Sequence, residues 1–347
     1  MELDVLYDQV KETLSSLDFS KIWPGFQPLK FALYDDKRCF FDGRWVEKTY
    51  AFCANTSIVY EGEPIAIWMV QDALKPSVLA SKLVHEMFHG YQSITGLMES
   101  APNELEALYR YEYDAGNLSL KLRENALLLE LLEQFDDSKL AELLAHRKHR
   151  SVRFPYEFAY ETKVEEIEGT ANYVEWQVLR QLDGGEAGAL TAHMRERMTK
   201  PDFLFPIRVS SYFTGALMTG ALHAAGIYNF ETSVRSVLLS ALEHTAPSPG
   251  EFPHQAEMTN TAQDAVKAFH AETDRIIDSA LEKDQVVLTG PAELKGVNIY
   301  NARCRRGFIT STYFLMYNDG TEDKMLSGDF VIKMQDEKTI ACAYRWE

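Results

Sequence analysis

The segment Val84-His85-Glu86-Met87-Phe88-His89-Gly90 holds two histidines four residues apart, with a glutamate directly after the first. In a helix, residues four apart lie one turn apart on one face, so His85 and His89 can offer two imidazole nitrogens to one ion. Glu86 sits about 100° further round the helix, where its carboxylate reaches a metal-bound water rather than the metal. Zinc lowers the pKa of such a water to near neutrality. Glu86 then takes its proton and passes it on to a leaving amine. The local pattern suits a helix: Val84, Met87, Phe88 and Tyr91 form an apolar stripe, and His85, His89 and Gln92 share another face.

A catalytic zinc ion needs a third protein ligand and one open position. The stretch Glu161 to Trp176 supplies candidates. Val164, Ile167, Ala171, Val174 and Val178 make a buried stripe at helical spacing, and Glu161, Glu165, Glu168, Asn172 and Glu175 make a polar one beside it. Glu168 is the preferred ligand, because Gly169 and Ala171 would let its helix approach the zinc helix closely. Glu165, one turn earlier, is the rival. Glu165, Glu166 and Glu175 otherwise read as a solvated face.

The pairing of HEMFH with a later Glu168-Gly169-Thr170-Ala171 resembles the gluzincin metallopeptidases, which include thermolysin-like enzymes and an aminopeptidase branch. The resemblance covers about residues 60–230. It implies a zincin-like catalytic domain, one Zn2+ held by His85, His89 and Glu168, Glu86 as the base, and a peptide or protein substrate. It also implies an oxyanion-stabilising Tyr or His downstream, for which Tyr212 is the candidate; its hydroxyl could polarise a scissile carbonyl. His223, eleven residues later, reads as structural. An edge strand before the zinc helix would bind extended peptide, and Ile65–Val70 is the candidate, although its apolar character equally fits a central strand. The chain departs from the pattern in two ways. Glu168 follows His89 by 79 residues, a long interval that an excursion over 103–150 would fill, and no GxMEN exopeptidase motif occurs. A non-catalytic zinc sensor on the same scaffold is the alternative reading.

The elements that would position these residues follow from periodicity. An amphipathic segment, Leu3 to Leu17, opens the chain, and strands are expected at Leu29–Tyr34, Cys39–Phe41, Thr49–Ala54 and Ile65–Val70. Helices are expected at 77–95, 103–133, 137–149, 156–182, 186–198, 206–226, 230–243 and 260–283. The charged stretch 103–150 reads as a hairpin with heavily solvated faces, and His146, His149 and His193 as solvated. Thr245–Pro253 reads as a loop. Strands return at Val286–Leu288, Val297–Tyr300, Arg305–Tyr317, Met325–Gln335 and Thr339–Tyr344. The expected class is α+β: a sheet subdomain (1–75), a helical zinc-binding domain (76–284) and a small all-β module (285–347).

Composition narrows the partners. A net charge of −17 over 347 residues repels phosphate backbones and anionic lipid, which argues against nucleic acid and membrane. The apolar run Tyr212–Tyr228 is broken by glycines and His223 and reads as a buried helix. An acidic N-terminus without a secretory pattern, and four scattered cysteines, point to reduced thiols in a cytoplasmic protein. Oligomeric state has no sequence signal.

Overall fold

The computed structural model describes residues 2–71, 74–227, 233–247 and 251–346. The class is α+β, with one mixed sheet, a large set of helices and one antiparallel sheet. Helix α1 (Leu3–Ser15) buries Leu3, Leu6, Tyr7, Val10 and Leu14, spaced three and four apart, against strands β1 (Lys30–Tyr34) and β2 (Cys39–Phe41). Strands β3 (Arg44–Val46), β4 (Thr56–Tyr60) and β5 (Glu63–Met69) complete a sheet of order β3-β2-β1-β5-β4. Strands β1 and β5 run parallel; β4 is antiparallel to β5 and forms the edge.

Two strand expectations are corrected here. Ile65–Val70 supplies β5, which lies between β1 and β4 and is not an edge. Its apolar run marks burial on both faces: Ile65 and Ile67 on one, Ala66 on the other. Thr49–Ala54 is not a strand but a turn, in which Phe52 N–H donates to the Thr49 carbonyl, and the strand next to β5 is instead β4, which was not expected. The turn folds Phe52 over Tyr34, Ile65 and Ile67, closing the outer face of the sheet.

Helix α2 (Pro76–Ile94) packs under the sheet and carries the histidines. The expected helix 103–133 is divided at residues 111–114 into α3 (Glu104–Arg110) and α4 (Ala115–Glu133), each with an Asn or Asp side chain capping its start. Next come α5 (Asp137–Arg153) and α6 (Pro155–Val164). Alpha-helix α6 runs through a π-helical turn, Glu165–Gly169, into α7 (Thr170–Leu182). Helices α8 (Gly184–Met198), α9 (Ile207–Ala224), α10 (Val234–Glu243) and α11 (Gln255–Lys283) follow. The run Tyr212–Tyr228 falls largely in α9, as a buried helix; Tyr228, the 230–232 start expected for α10 and residues 248–250 of the Pro-rich loop lie outside the described residues. Among the described residues no helix is long and apolar enough to cross a membrane. The four cysteines are unpaired.

The 103–150 hairpin is not heavily solvated. Lys121, Glu124, Arg147, Arg150 and His146 are buried, as are Glu161 and Glu165 across from them. Lys121 Nζ lies 2.8 Å from Glu161 and 3.3 Å from Glu165; Arg150 lies 3.0 Å from Glu124 and 2.5 Å from Glu161; Arg147 pairs with Glu165. Three cations thus meet three carboxylates in the interior, which is why a strongly charged hairpin can be core.

The C-terminal strands β6 (Val286–Val297), β7 (Arg303–Arg305), β8 (Phe308–Ser311), β9 (Phe314–Asn318), β10 (Asp323–Ser327), β11 (Phe330–Met334) and β12 (Thr339–Arg345) form a sheet of order β10-β9-β6-β12-β11-β8-β7. Expected strands Arg305–Tyr317 and Met325–Gln335 are each broken by left-handed residues: Arg306, Gly307 and Tyr313 in the first, Gly328 in the second. The sheet docks on α11 through Ile276, Ile277 and Ala280, and on α3 through Leu105, Leu108 and Tyr109.

Candidate metal centre

Among the described residues, one group of three His, Cys, Asp or Glu side chains brings its ligand atoms within 4.8 Å of one another: His85, His89 and Glu168. His89 Nε2 is 3.1 Å from His85 Nε2 and 3.4 Å from Glu168 Oε2. A tetrahedral zinc site with bonds of about 2.0–2.1 Å has donor–donor edges of about 3.3–3.4 Å. The two measured edges match that size, so the residues fit a zinc ion.

The second nitrogen of each imidazole faces a partner. His85 Nδ1 lies 3.2 Å from Glu175 Oε2, at ion-pair distance but without hydrogen-bond alignment. His89 Nδ1 lies 2.7 Å from Gln92 Oε1. The Gln92 amide is oriented by its own Nε2, which donates to the Ile167 carbonyl at 2.8 Å and to Thr170 Oγ1 at 2.9 Å. Its oxygen must therefore face His89, which places the His89 proton on Nδ1 and leaves Nε2 free for a metal. Glu175 is thus not solvated but a half-buried neighbour of His85 and of Lys82, 3.5 Å away. Burial alone would raise the Glu175 carboxyl pKa, and His85 and Lys82 bring it below the usual range.

The π-helical turn places Glu168, and each of its five residues has a separate task. Glu165 points into the buried charge network, where Lys121, Arg147 and Thr214 hold its carboxylate. It is therefore not available as a metal ligand, and the rivalry with Glu168 is removed. Glu166, also buried rather than solvated, accepts from the Arg235 backbone N–H at the start of α10. The Ile167 carbonyl accepts from Gln92. Glu168 faces the histidines, and its other oxygen is 2.8 Å from Arg208 Nη2. Gly169 faces α9, not the zinc helix: a Cβ there would stand 2.5 Å from Gly215 Cα. The glycine does permit a close helix approach, but to a different partner from the one expected.

Burial opposes charge on Glu168, yet the His89 contact and Arg208 hold its carboxyl at about 2. Burial would likewise pull His89 down, and the Glu168 carboxylate lifts it to about 8. Glu86 differs. It makes no hydrogen bond or ion pair with any described residue, and burial raises its carboxyl pKa, partly offset by His85 and His89.

These residues line an open pocket of about 310 Å³ with Ser57, Ile58, Val59, Met98, Ile167 and Tyr300. One wall is the edge strand β4. It sits directly on α2 because residue 90 is glycine; a Cβ there would meet Leu29 Cδ1 at 2.5 Å and Ser57 Oγ at 2.9 Å. The other wall is Tyr300, from the β6–β7 loop. Tyr212 does not line the pocket; its hydroxyl donates to that of Tyr300 at 3.2 Å, and both rings lie near the Arg208 guanidinium. Burial raises the Tyr212 pKa first, and Glu168 adds to it. His223 sits away from the site, its Nδ1 3.3 Å from the Tyr173 hydroxyl.

Sequence reasoning did not find Arg208 or Tyr300 and misjudged Glu175. Glu175 has a usable signal, since it lies seven residues after Glu168 and hence on the same face. Gln92 lies three after His89 for the same reason. Tyr300 carries no such signal, because only the docking of the β-module brings it near. Comparison with family models, with curated proteins and with solved structures gave no match.

Proposed function

We propose that this chain is a zinc-dependent metallopeptidase with a zincin-like catalytic arrangement. The observation that carries the reading is Glu86: beside three converging metal-ligand side chains, it is a half-buried carboxylate left without a partner and facing an open pocket. His85, His89 and Glu168 would hold the ion. Zinc held there would supply Lewis acidity and make water more acidic. Glu86 is the base that would accept a proton from the attacking water and return it to the leaving amine. Tyr300 accepts from Tyr212 and so keeps its own proton to donate to a substrate carbonyl. Tyr212 acts from behind it, by orienting that hydroxyl. Strand β4 leaves one edge unpaired beside the pocket, where an extended peptide can add as a further strand.

The test combines metal content with cleavage of a peptide library. Wild type is expected to hold about one equivalent of zinc and to cleave, and Glu86→Gln to keep the zinc while losing at least ~100-fold in rate. Wild-type cleavage by Glu86→Gln rejects the base assignment. A protein that copurifies without zinc and gains no thermal stability from added zinc rejects the metal reading.

A further inference from the structure

A second cavity, of about 290 Å³, lies where the β-module meets the helices, behind Arg208 and apart from the metal pocket. Its walls are aromatic: Tyr109, Tyr111, Tyr113, Tyr160 and Phe269 all contribute. Three hydrogen-bond donors on those walls are left over. The Tyr109 hydroxyl is buried and has no partner among the described residues. Arg208, 9 % exposed, engages Glu104 and Glu168 through its terminal nitrogens, while its Nε is buried without a partner. Arg303 is partly buried and stacks on Phe269, 4.7 Å from the ring centroid. Its one side-chain hydrogen bond goes to Thr273 Oγ1 at 3.3 Å, and no carboxylate of a described residue pairs with it. Glu272, the nearest acid by charge, is bonded to Arg275 instead.

A guanidinium partly withdrawn from water without a counter-ion is costly, and so is a buried donor left unpaired. Such groups in a native protein call for an explanation, and a bound ligand is one. Burial lowers the Arg303 pKa, and the Glu272 carboxylate, which is not in contact with it, offsets this only in part. Of the two acids on the wall, Glu104 is already met by Arg208 and the Tyr160 hydroxyl, and Glu112 is exposed. We infer that this cavity is a binding site for a small organic carboxylate with an aromatic body, its carboxylate on Arg303 and Tyr109 and its ring among the tyrosines.

The inference stands independently of the metallopeptidase reading, and its test needs no activity. Thermal unfolding of the full chain is followed against benzoate, inorganic phosphate and benzyl alcohol at constant ionic strength. Benzoate is expected to raise Tm saturably, by about 2 °C or more, with phosphate and benzyl alcohol much weaker. Arg303→Met should remove the benzoate shift and, in chloride alone, should leave Tm unchanged or raise it, since it deletes an unpaired charge. Tyr109→Phe, a milder variant, should weaken benzoate binding at least threefold while folding normally. A benzoate shift that survives both variants overturns the inference. So does the absence of any saturable benzoate shift, or a phosphate shift equal to that of benzoate.

Discussion

At the metal-facing nitrogens the decisive partners are Glu175 and Gln92. Each faces the far nitrogen of one histidine, Gln92 at hydrogen-bond and Glu175 at ion-pair distance, and each is itself anchored, Glu175 by Lys82 and Gln92 by the turn that carries Glu168. Such outer partners typically change metal affinity by about 10–100-fold. Glu175→Ala is therefore expected to weaken zinc binding by about that factor, read by competition with a chromophoric chelator. An affinity within twofold of wild type would show that His85 is oriented by packing alone. Glu168→Ala should lose the metal outright, because Glu165, the sole rival considered, is tied up by Arg147 and Lys121.

The π-helical turn is the element on which the site depends. A regular α-helix through 161–175 would not turn Glu161 and Glu165 toward the charge network, Glu166 toward α10 and Glu168 toward α2 together. The extra residue of the π turn makes that division of directions. The turn is pressed against α9 with no side chain between them. A Cβ on Gly215 would lie 2.8 Å from Cα of both Glu165 and Gly169. Backbone atoms cannot move aside cheaply, so Gly215→Ala should destabilise by about 1–3 kcal/mol and weaken zinc binding by shifting Glu168. Gly220→Ala on the same helix is the control. Its Cβ would meet Tyr173 at 3.7 Å and Trp176 at 3.9 Å, both ordinary contacts, and it should be neutral or stabilising by up to ~1 kcal/mol. Urea titration of both variants checks the contrast in sign.

For the molecule as a whole, the buried charges tie folding to pH. Burial opposes ionisation of Glu161, but Arg150 and Lys121 hold its carboxyl at about 2, and Glu165 is also lowered, mainly by Arg147 and Lys121. A folded-state pKa below the unfolded one means that this stability is fully present above about pH 4.3 and is lost as pH falls through the folded value. Unfolding free energy should therefore drop steadily from about pH 4.5 toward pH 2, as measured by denaturant titration at fixed salt. Lys121→Met leaves Glu161 and Glu165 with one cation fewer in the interior. It should cost about 3–5 kcal/mol at pH 7, and its stability should depend less on acid than that of wild type.

The chemistry of the site was legible in sequence wherever it obeyed helical spacing. His85, Glu86 and His89 lie within one turn and a half of a helix, so the common face of the two histidines and the place of Glu86 beside it follow from local geometry alone, and Glu168 stood out through the glycine and alanine after it. The α+β class and most helix positions were legible for the same reason: periodicity is a local property. Burial of charge was not. Glu165, Glu175, Lys121 and Arg147 look like solvated residues in any window of the chain, because the groups that neutralise them come from other helices. Nor did the sequence show β4, or that β5 lies inside the sheet, since strand order depends on pairings across the sheet. Tyr300 reaches the metal pocket only because α3 and α11 dock the β-module against the helices. The sequence by itself determined which side chains could bind a metal and move a proton. Tertiary packing decided which of them are neutralised, which are oriented and which, like Glu86, are left free, because those properties belong to contacts between segments far apart in the chain.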